Sequence, residues 1–342
     1  MARRTTTWLG AAAAAAALAL PAPAAADPPC VTWNVRTVAG NLGVLENLEP
    51  DGRGGLLISN NGSNEIERMK PDGSVTTLIP DVPSPGGQRI RGGYLYFNTG
   101  DSAQAGFLQT TDGTIQRYDL RTGARITLAS GLAMPNGLVF LPNADLAVSR
   151  DSPGWGITRI PRDDPAHPQR NWVQTNDSNG MAVDPTGTWL YFDQTFQPGN
   201  EVLRARIANP SDVEEVASLG NGLVLDDLTI DRDGILYIAA NRPSPQGELI
   251  RFDPYTKDAC VIASGLGDPS AVKFGCGPGW PSDHLYVTGF EGDVYEVSAP
   301  RGGAAPQGTC DAASSQSPAA VPGPAGTPAS HVARRTRHHH RR

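Results

Sequence analysis

Four polar side chains open short apolar runs that recur along the 342-residue chain. They are Glu46 in Leu-Glu-Asn-Leu, Asn136 in Pro-Asn-Gly-Leu, Asn179 in Ser-Asn-Gly-Met and Asp227 in Asp-Asp-Leu-Thr. Each falls at the same place in its repeat. Carboxylate and amide oxygens are the ligands that a hard divalent cation prefers. The pattern therefore predicts a metal site for Ca²⁺, with another divalent cation as the alternative.

Each of these residues also has a simpler interpretation. Asn-Gly before a strand is a common turn signal, and Asn side chains cap turns. Asp226 precedes Asp227, so the register of that motif is open. Glu46 is compatible with a solvated loop position. The coincidence of four polar oxygens at one place in the repeat favours the metal site, because a plain scaffold would tolerate apolar residues there.

The elements that must position these residues form a repeat. A short apolar run, rich in Leu, Ile, Val and Tyr, recurs at residues 56–58, 95–97, 146–148, 190–192, 236–238 and 285–287. A further run follows each copy, and its marker residues lie 42 to 49 residues apart: Arg68, Arg117, Arg159, Arg204, Arg251 and Glu296. Several strands in a period of about 40 to 50 residues indicate a propeller blade. The predicted fold is an all-β, six-bladed β-propeller with four-stranded antiparallel blades.

The ring needs a strand from the N-terminal segment. Residues 30–38 resemble the outer strands of the other blades, and blade six lacks an outer strand after Val297. We therefore expect the N-terminal strand to complete blade six and to remove the exposed sheet edge. In a propeller the inner strands start at the channel mouth, where the four polar residues would meet.

Composition divides the chain into three segments. Residues 1–26 carry Arg3 and Arg4, an Ala/Leu-rich run and a small-residue cleavage site, which predicts a secretory signal peptide. Residues 27–299 form the predicted propeller. Residues 300–342 are rich in Ala, Pro, Gly and Ser and end in Arg and His, which predicts a disordered tail.

The charge balance limits the partners. Without the seven arginines at the two ends, 21 basic and 35 acidic residues leave about −14. Such an acidic body argues against nucleic acid, and no later run is long and apolar enough to span a membrane. We expect a secreted protein, extracellular or periplasmic, that is monomeric and acts on a small molecule.

All four cysteines follow the predicted signal peptide, and an even count in an exported chain suggests two disulfides. Three pairings are possible. Cys260 begins the outer strand of blade five and Cys276 follows the first strand of blade six, while Cys30 and Cys310 flank the chain ends. The repeat pattern therefore favours Cys260–Cys276 and Cys30–Cys310.

The motifs resemble those of the gluconolactonase/regucalcin-like (senescence marker protein) family of six-bladed propellers, which includes related phosphotriesterases and lactonases. The resemblance covers residues 40–297. It implies that Glu46, Asn179 and Asp227 bind a divalent metal at the channel mouth. It implies further that Asn136 is a ligand or a substrate contact, and that Asp227 doubles as general base or nucleophile.

Two segments depart from the family pattern. Met134 stands where sugar-lactone members carry an arginine, and its thioether cannot grip a sugar hydroxyl or carboxylate. This argues against a gluconolactone substrate. The usual Glu-Gly-Pro of blade one is Glu46-Asn47-Leu48 here.

The leading functional hypothesis is a Ca²⁺-dependent hydrolase of a lactone or related cyclic ester, with loops 101–109 and 151–156 at the pocket rim. The alternative is a non-catalytic secreted propeller that binds a ligand or a partner. A metal-dependent lyase is a third possibility, but it would want a His/Glu pair at the channel mouth, and no histidine occupies an equivalent position.

Overall fold

The computed structural model describes residues 30–152, 156–220, 222–241, 246–301 and 305–310. In these residues, 24 strands form six four-stranded antiparallel sheets. The first strand of each sheet contacts the first strands of its two neighbours, so that six inner strands enclose a central channel. The predicted six-bladed propeller is thus confirmed.

The first three blades take up residues 45–173. Blade one contains β2 (Leu45–Pro50), β3 (Leu56–Asn60), β4 (Glu65–Met69) and β5 (Val75–Ile79). Blade two contains β6 (Gln88–Arg91), β7 (Tyr94–Thr99), β8 (Gly113–Asp119) and β9 (Arg125–Leu132), with a short helix, α1 (Ala103–Leu108), between β7 and β8. Blade three contains β10 (Pro135–Phe140), β11 (Leu146–Arg150), β12 (Ile157–Ile160) and β13 (Gln169–Val173).

The other three blades complete the ring. Blade four contains β14 (Met181–Val183), β15 (Trp189–Asp193), β16 (Glu201–Arg206) and β17 (Asn209–Ser218). Blade five contains β18 (Val224–Ile230), β19 (Leu236–Asn241), β20 (Glu248–Phe252) and β21 (Ala259–Ser264). Blade six contains β22 (Pro269–Phe274), β23 (His284–Gly289), β24 (Val294–Ser298) and β1 (Asn34–Ala39).

The turns between the first two strands of a blade use a carboxylate to organise the backbone. Asp184 Oδ1 accepts hydrogen bonds from the backbone amides of Thr188 and Trp189, at 2.7 and 2.6 Å. Gly187 supplies the positive φ, 71°, that this turn needs. Asp51 and Asp231 accept equivalent backbone bonds in blades one and five. The Asp-x-x-Gly signals of the sequence thus become the hairpin turns.

Apolar side chains fill the layers between neighbouring blades. Between blades six and one, for example, Leu48 and Ile58 pack against Trp280 and Tyr286, all nearly or fully buried. The two rings meet edge to face, with centroids 4.8 Å apart. Each fully buried side chain of this size contributes about 1.5–3 kcal/mol. The rigid ring that results holds the residues at its axis in place.

The N-terminal strand closes the ring, as expected. β1 pairs antiparallel with β24, from Asn34 opposite Ser298 to Ala39 opposite Val294. The last blade is therefore built from both ends of the propeller and has four strands, as the other five blades have.

The predicted disulfide pairing is wrong. The bonds are Cys30–Cys260 and Cys276–Cys310, each with 5.5 Å between the Cα atoms. Residues before β1 run beside the outer strand of blade five, where the Trp33 amide donates to the Ile262 carbonyl at 2.7 Å. This brings Cys30 to Cys260 in the neighbouring blade and leaves Cys276 for the C-terminal segment.

The C-terminal segment returns to the propeller after β24. The Gly308 amide donates to the Ser282 carbonyl at 2.9 Å, and Gly308 also forms an isolated bridge with Asp231. Residues 305–310 belong to the segment predicted as a disordered tail, but these contacts and the Cys276–Cys310 bond attach them to the fold. The predicted signal peptide, 1–26, and residues 311–342 lie outside the described residues.

The two disulfides bear on the compartment in which the protein folds. A pair of disulfides is typical of a protein that folds in an oxidising environment. Nowhere in the described ranges does a helix combine the length and the apolarity that a membrane crossing requires.

Candidate functional site

The inner strands begin at one end of the channel, which we call the acidic mouth. In blade one the pairing register skips a residue at the start of β2, so that Glu46 has no opposite partner. The same irregularity leaves Asp226 without an opposite partner in blade five. In blade three it leaves Asn136 without one. A bulge re-aims the side chain of the extra residue. The inner strand of blade six has the same irregularity, at Ser270, so four of the six inner strands place a polar residue at such a bulge.

Asn136 connects blades one, two and three at the acidic mouth. Its Nδ2 donates to Glu46 Oε1 at 2.9 Å and to Asp101 Oδ2 at 3.0 Å. Its backbone carbonyl accepts from the Gly87 amide at 2.8 Å and from the Asn98 side chain. Glu46, Asp101 and Asn136 are all buried. The amide therefore holds two carboxyl groups from other blades at one point.

Asn179 makes the corresponding connection between blades four and five. Its Nδ2 donates to Asp226 Oδ1 at 2.9 Å and to Thr195 Oγ1 at 3.0 Å. Asn241 Nδ2 donates to the other oxygen of Asp226 at 2.9 Å. Oδ1 of Asn179 is buried and has no hydrogen-bond partner among the described residues. Leaving such an acceptor unpaired costs about 1–3 kcal/mol, so this oxygen is suited to a ligand.

Four buried carboxyl groups at the acidic mouth have raised pKa values, and repulsion among these four groups contributes to three of them. Burial, then repulsion from Asp101 and Asp151, raises the pKa of Glu46 well above its ordinary value. Burial and repulsion also raise the pKa of Asp101 and Asp226 well above their usual range. Burial raises the pKa of Asp151 to about 7. The ion pairs among the described residues do not include these four groups, so their charge is not compensated by a side-chain cation.

Asp227 does not join this cluster. Its Oδ2 forms an ion pair with Nζ of Lys273 and accepts a hydrogen bond from the Val272 amide at 3.3 Å. Burial lowers the pKa of Lys273, and the Asp227 charge opposes that effect. Because the bulge falls on Asp226, that residue takes the place equivalent to Glu46, and Asp227 faces the neighbouring blade. Of the four residues expected to converge, the structure brings together Glu46, Asn136 and Asn179.

The sequence analysis did not predict Asp101, Asp151 or Asp226 as site residues. Asp101 and Asp151 each stand just after the second strand of their blade, β7 and β11, at the first position of the two loops expected at the rim. Asp193 ends the second strand of blade four in the same way, and it too is buried. A comparison of the second-strand ends across the repeat would have revealed this acidic set.

The rim above Asp101 contains α1, which begins after Ser102. The Ser102 hydroxyl accepts a hydrogen bond from the Ala105 amide at 3.1 Å and so caps the helix. Gly106 lies against the sulfur of Met134, and Phe107 is 88% exposed. Met134, at the position where sugar-lactone members of the resembled family carry an arginine, thus contributes a thioether to this rim.

The donor set determines what the acidic mouth can bind. Across the described ranges, no three His, Cys, Asp or Glu side chains form a metal-ligand group by themselves. Amide oxygens from Asn136 and Asn179 would have to complete such a group. Mixed carboxylate and amide oxygens, with one buried amide oxygen unpaired, fit a hard cation such as Ca²⁺.

The fold and this arrangement define a class: a six-bladed β-propeller with buried carboxyl and amide groups at one channel mouth. No family model and no curated protein matches the sequence. Solved structures do match, and they include gluconolactonase and regucalcin propellers at low sequence identity. The resemblance inferred from the sequence motifs is therefore confirmed for the fold.

Three of these structures illustrate the similarity. A gluconolactonase from Xanthomonas campestris has a TM-score of 0.63 and 19% identity, covering 81% of this chain and 97% of its own. A luciferin-regenerating enzyme has a TM-score of 0.62 and 14% identity, covering 81% and 98%. The calcium-binding protein regucalcin from Agrobacterium tumefaciens has a TM-score of 0.61 and 15% identity, covering 82% and 96%. Function must be argued from the site, since such identities establish a shared fold alone.

Proposed function

We propose that the acidic mouth holds one divalent cation, Ca²⁺, through oxygen atoms of Glu46, Asn136, Asn179 and Asp226. The observation that carries this proposal is the set of uncompensated buried carboxyl groups beside the unpaired Oδ1 of Asn179. A bound dication would offset the repulsion and provide that oxygen with a partner. The calcium-binding regucalcin among the fold neighbours gives further support.

Asp226 replaces Asp227 in this ligand set. Asp227 already has Lys273 as a charge partner, whereas the partners of Asp226 among the described residues are the side-chain amides of Asn179 and Asn241. A carboxylate without a cationic partner is the better candidate for a metal ligand. The role of general base also passes from Asp227 to another residue, because Lys273 Nζ already occupies the Oδ2 atom of Asp227.

The proposed reaction is hydrolysis of a lactone or related cyclic ester. A bound cation would supply Lewis-acid polarisation of the ester carbonyl. Asp151 is the proposed general base, since its Oδ1 is buried and has no hydrogen-bond partner among the described residues. Asp151 takes a proton from the attacking water and returns it to the ring oxygen as the acyl–oxygen bond breaks. The product is a hydroxy acid.

Lactone hydrolysis in the presence of Ca²⁺ tests this mechanism. A panel of γ- and δ-lactones that spans short and long side chains should contain a substrate. Asp151→Asn should lower its hydrolysis by about 10²–10⁴-fold, as expected for loss of a general base, and should keep the bound calcium. The matched control is Asp163→Asn, an exposed carboxylate, which should retain full activity. Unchanged hydrolysis in Asp151→Asn would remove Asp151 from the mechanism.

A non-catalytic propeller that binds a ligand or partner is the second candidate. Met134 favours it, because this position offers no charge to a polar substrate. Calcium binding without hydrolysis of any ester in the panel would support this alternative. In either case we propose that the mature protein is exported and monomeric, which size-exclusion chromatography with light scattering would test.

A further inference from the structure

The opposite end of the channel, which we call the basic mouth, contains a cavity of about 380 Å³. It lies where the inner strands end. Three cationic side chains line it, namely Arg89, Arg91 and Lys273, together with apolar side chains from blades three to six. Two carboxylates, Glu49 and Asp184, line it as well. The mixture of cations and carboxylates differs from the carboxyl and amide groups of the acidic mouth.

Both arginines lie on β6, and the strand directs them to the same side. Side chains alternate along a strand, so Arg89 and Arg91 share one face and Gln88 and Ile90 share the other. Gln88 Nε2 donates to the Leu57 carbonyl of blade one at 3.1 Å. The Arg91 guanidinium lies over the Phe140 ring of blade three, 4.9 Å from its centroid. The two arginines therefore face blade three and the cavity.

Most of the hydrogen-bonding capacity of these arginines is uncommitted. A guanidinium has five N–H donors. Within the described residues, Arg89 donates one side-chain hydrogen bond, from Nη1 to the Gln88 carbonyl at 2.7 Å. Its ion pair with Glu49 is long, at 3.7 Å. Arg91 makes no side-chain hydrogen bond in the part of the chain described here. Its guanidinium makes a cation–π contact with the ring of Phe140.

Three cations and three carboxylates surround the cavity: Arg89, Arg91 and Lys273 against Glu49, Asp184 and Asp227. Asp227 forms an ion pair with Lys273, and Glu49 forms one with Arg89. The carboxylate of Asp184 also lines the cavity, but its oxygens accept hydrogen bonds within its own turn. Arg91 remains as a cation without a carboxylate partner among the ion pairs of the described residues. The cavity is therefore formally neutral as a whole, and its positive charge is concentrated at Arg91.

We propose that the basic mouth binds a small organic carboxylate. The carboxylate accepts hydrogen bonds from the guanidinium groups of Arg89 and Arg91, whose planar forks match its two oxygens. The apolar part of the ligand packs against Phe140, Val183 and Ile230, which line the same cavity. The cavity volume suits a ligand of about ten non-hydrogen atoms. This site is independent of the cation and the reaction proposed for the acidic mouth.

Titration with 4-fluorobenzoate, followed by ¹⁹F NMR, tests the proposal. We expect saturable binding that weakens as salt rises. Arg91→Gln should weaken it about tenfold or more, the usual effect of losing a hydrogen bond to a charged group. Arg117→Gln is the matched control: it removes an arginine of the same blade that lies 4.7 Å from the Tyr94 centroid and not in the cavity. Binding to this control should equal that of the unaltered protein.

Further ligands and variants test whether charge, guanidinium geometry or a phosphate preference explains the binding. 4-Fluorobenzyl alcohol, which has the same ring but no charge, should bind at least about tenfold more weakly. Arg91→Lys keeps a charge but loses the fork, and should fall between the unaltered protein and Arg91→Gln. Inorganic phosphate should displace the probe only at much higher concentration than benzoate does. Asp226→Asn should leave probe binding intact, whatever it does at the acidic mouth.

Three results would overturn the proposal. They are equal binding of the acid and the alcohol, unchanged binding in Arg91→Gln, and equal losses in Arg91→Gln and Arg117→Gln. Displacement by inorganic phosphate at a lower concentration than by benzoate would replace the carboxylate with a phosphate ligand.

Discussion

The two mouths of the channel differ in whether their buried carboxyl groups have cationic partners. At the acidic mouth, Glu46 and Asp226 are buried beside other carboxyl groups and have no cationic partner among the described residues. Towards the basic mouth, the buried carboxylate of Asp227 is matched by Lys273. Adjacent residues in the sequence therefore have different surroundings: Asp227 is paired with a cation, whereas Asp226 is the carboxylate that we propose for a ligand.

Removal of the cation should give the largest effect. Dialysis against a chelator should reduce lactone hydrolysis by about a thousandfold or more, because the lost Lewis acid contributes several kcal/mol to the transition state. Added Ca²⁺ should restore the rate. Binding of 4-fluorobenzoate at the basic mouth should not change during this cycle. Hydrolysis that persists after complete calcium removal would separate the reaction from the acidic mouth.

Disruption of the matched pair should give the next largest effect. Lys273→Met leaves Asp227 as an uncompensated buried charge, and should lower the free energy of unfolding by about 3–5 kcal/mol. Urea denaturation followed by circular dichroism would measure it. Arg162→Met, which breaks an exposed ion pair with Asp163, should cost less than about 1 kcal/mol.

A double variant sharpens this test. Lys273→Met with Asp227→Leu removes both charges and should recover most of the lost stability, because the penalty comes from the unpaired charge. If the double variant were as unstable as Lys273→Met alone, packing rather than charge would explain the loss.

The stability of the calcium-free protein should depend on pH in an unusual direction. The pKa values of Glu46, Asp101 and Asp226 are raised in the folded state, and that of Asp151 is raised to about 7. The folded state therefore binds more protons than the unfolded state between the ordinary carboxyl values and these raised values, so its stability falls as pH rises. Melting temperatures in chelator should decrease from pH 5 to pH 8.

Calcium should largely remove this dependence, since it stabilises the ionised carboxylates. A melting temperature that stayed level or rose with pH in chelator would show that the four carboxyl groups are not held as the structure indicates.

The smallest predicted effect concerns Asn241. Its Nδ2 donates a hydrogen bond to Asp226 Oδ2 at 2.9 Å, so Asn241→Ala should weaken calcium binding about tenfold by freeing that carboxylate to rotate. Isothermal titration calorimetry would measure the change. Asn143→Ala removes a similar bond, to Asp145 at 2.7 Å, in a turn that contributes to neither mouth, and should leave calcium affinity unaltered.

Repetition made the fold predictable. The period of the apolar runs determined the number of blades, and the missing outer strand of blade six identified the partner of β1. Three of the expected residues, Glu46, Asn136 and Asn179, do reach the acidic mouth because each lies at an equivalent strand start.

The choice between Asp226 and Asp227 and the disulfide pairing depended on how strands pair and where segments run, which a single sequence does not display. The bulge that selects Asp226 over Asp227 is a shift of register between β18 and β19. The disulfide pairing depended on the path of the residues before β1 beside blade five. Asp101 and Asp151 come from loops whose first residues turn inward, and only their position at strand ends hinted at this.

Calcium content in three proteins tests the central claim most directly: the unaltered mature chain, Asp226→Asn and Asp227→Asn, all without a metal-binding tag. Elemental analysis after dialysis should find about one calcium per chain in the unaltered protein and in Asp227→Asn, and almost none in Asp226→Asn. Circular dichroism would confirm that each variant is folded. Calcium retained by Asp226→Asn and lost from Asp227→Asn would contradict the account and return the ligand role to Asp227.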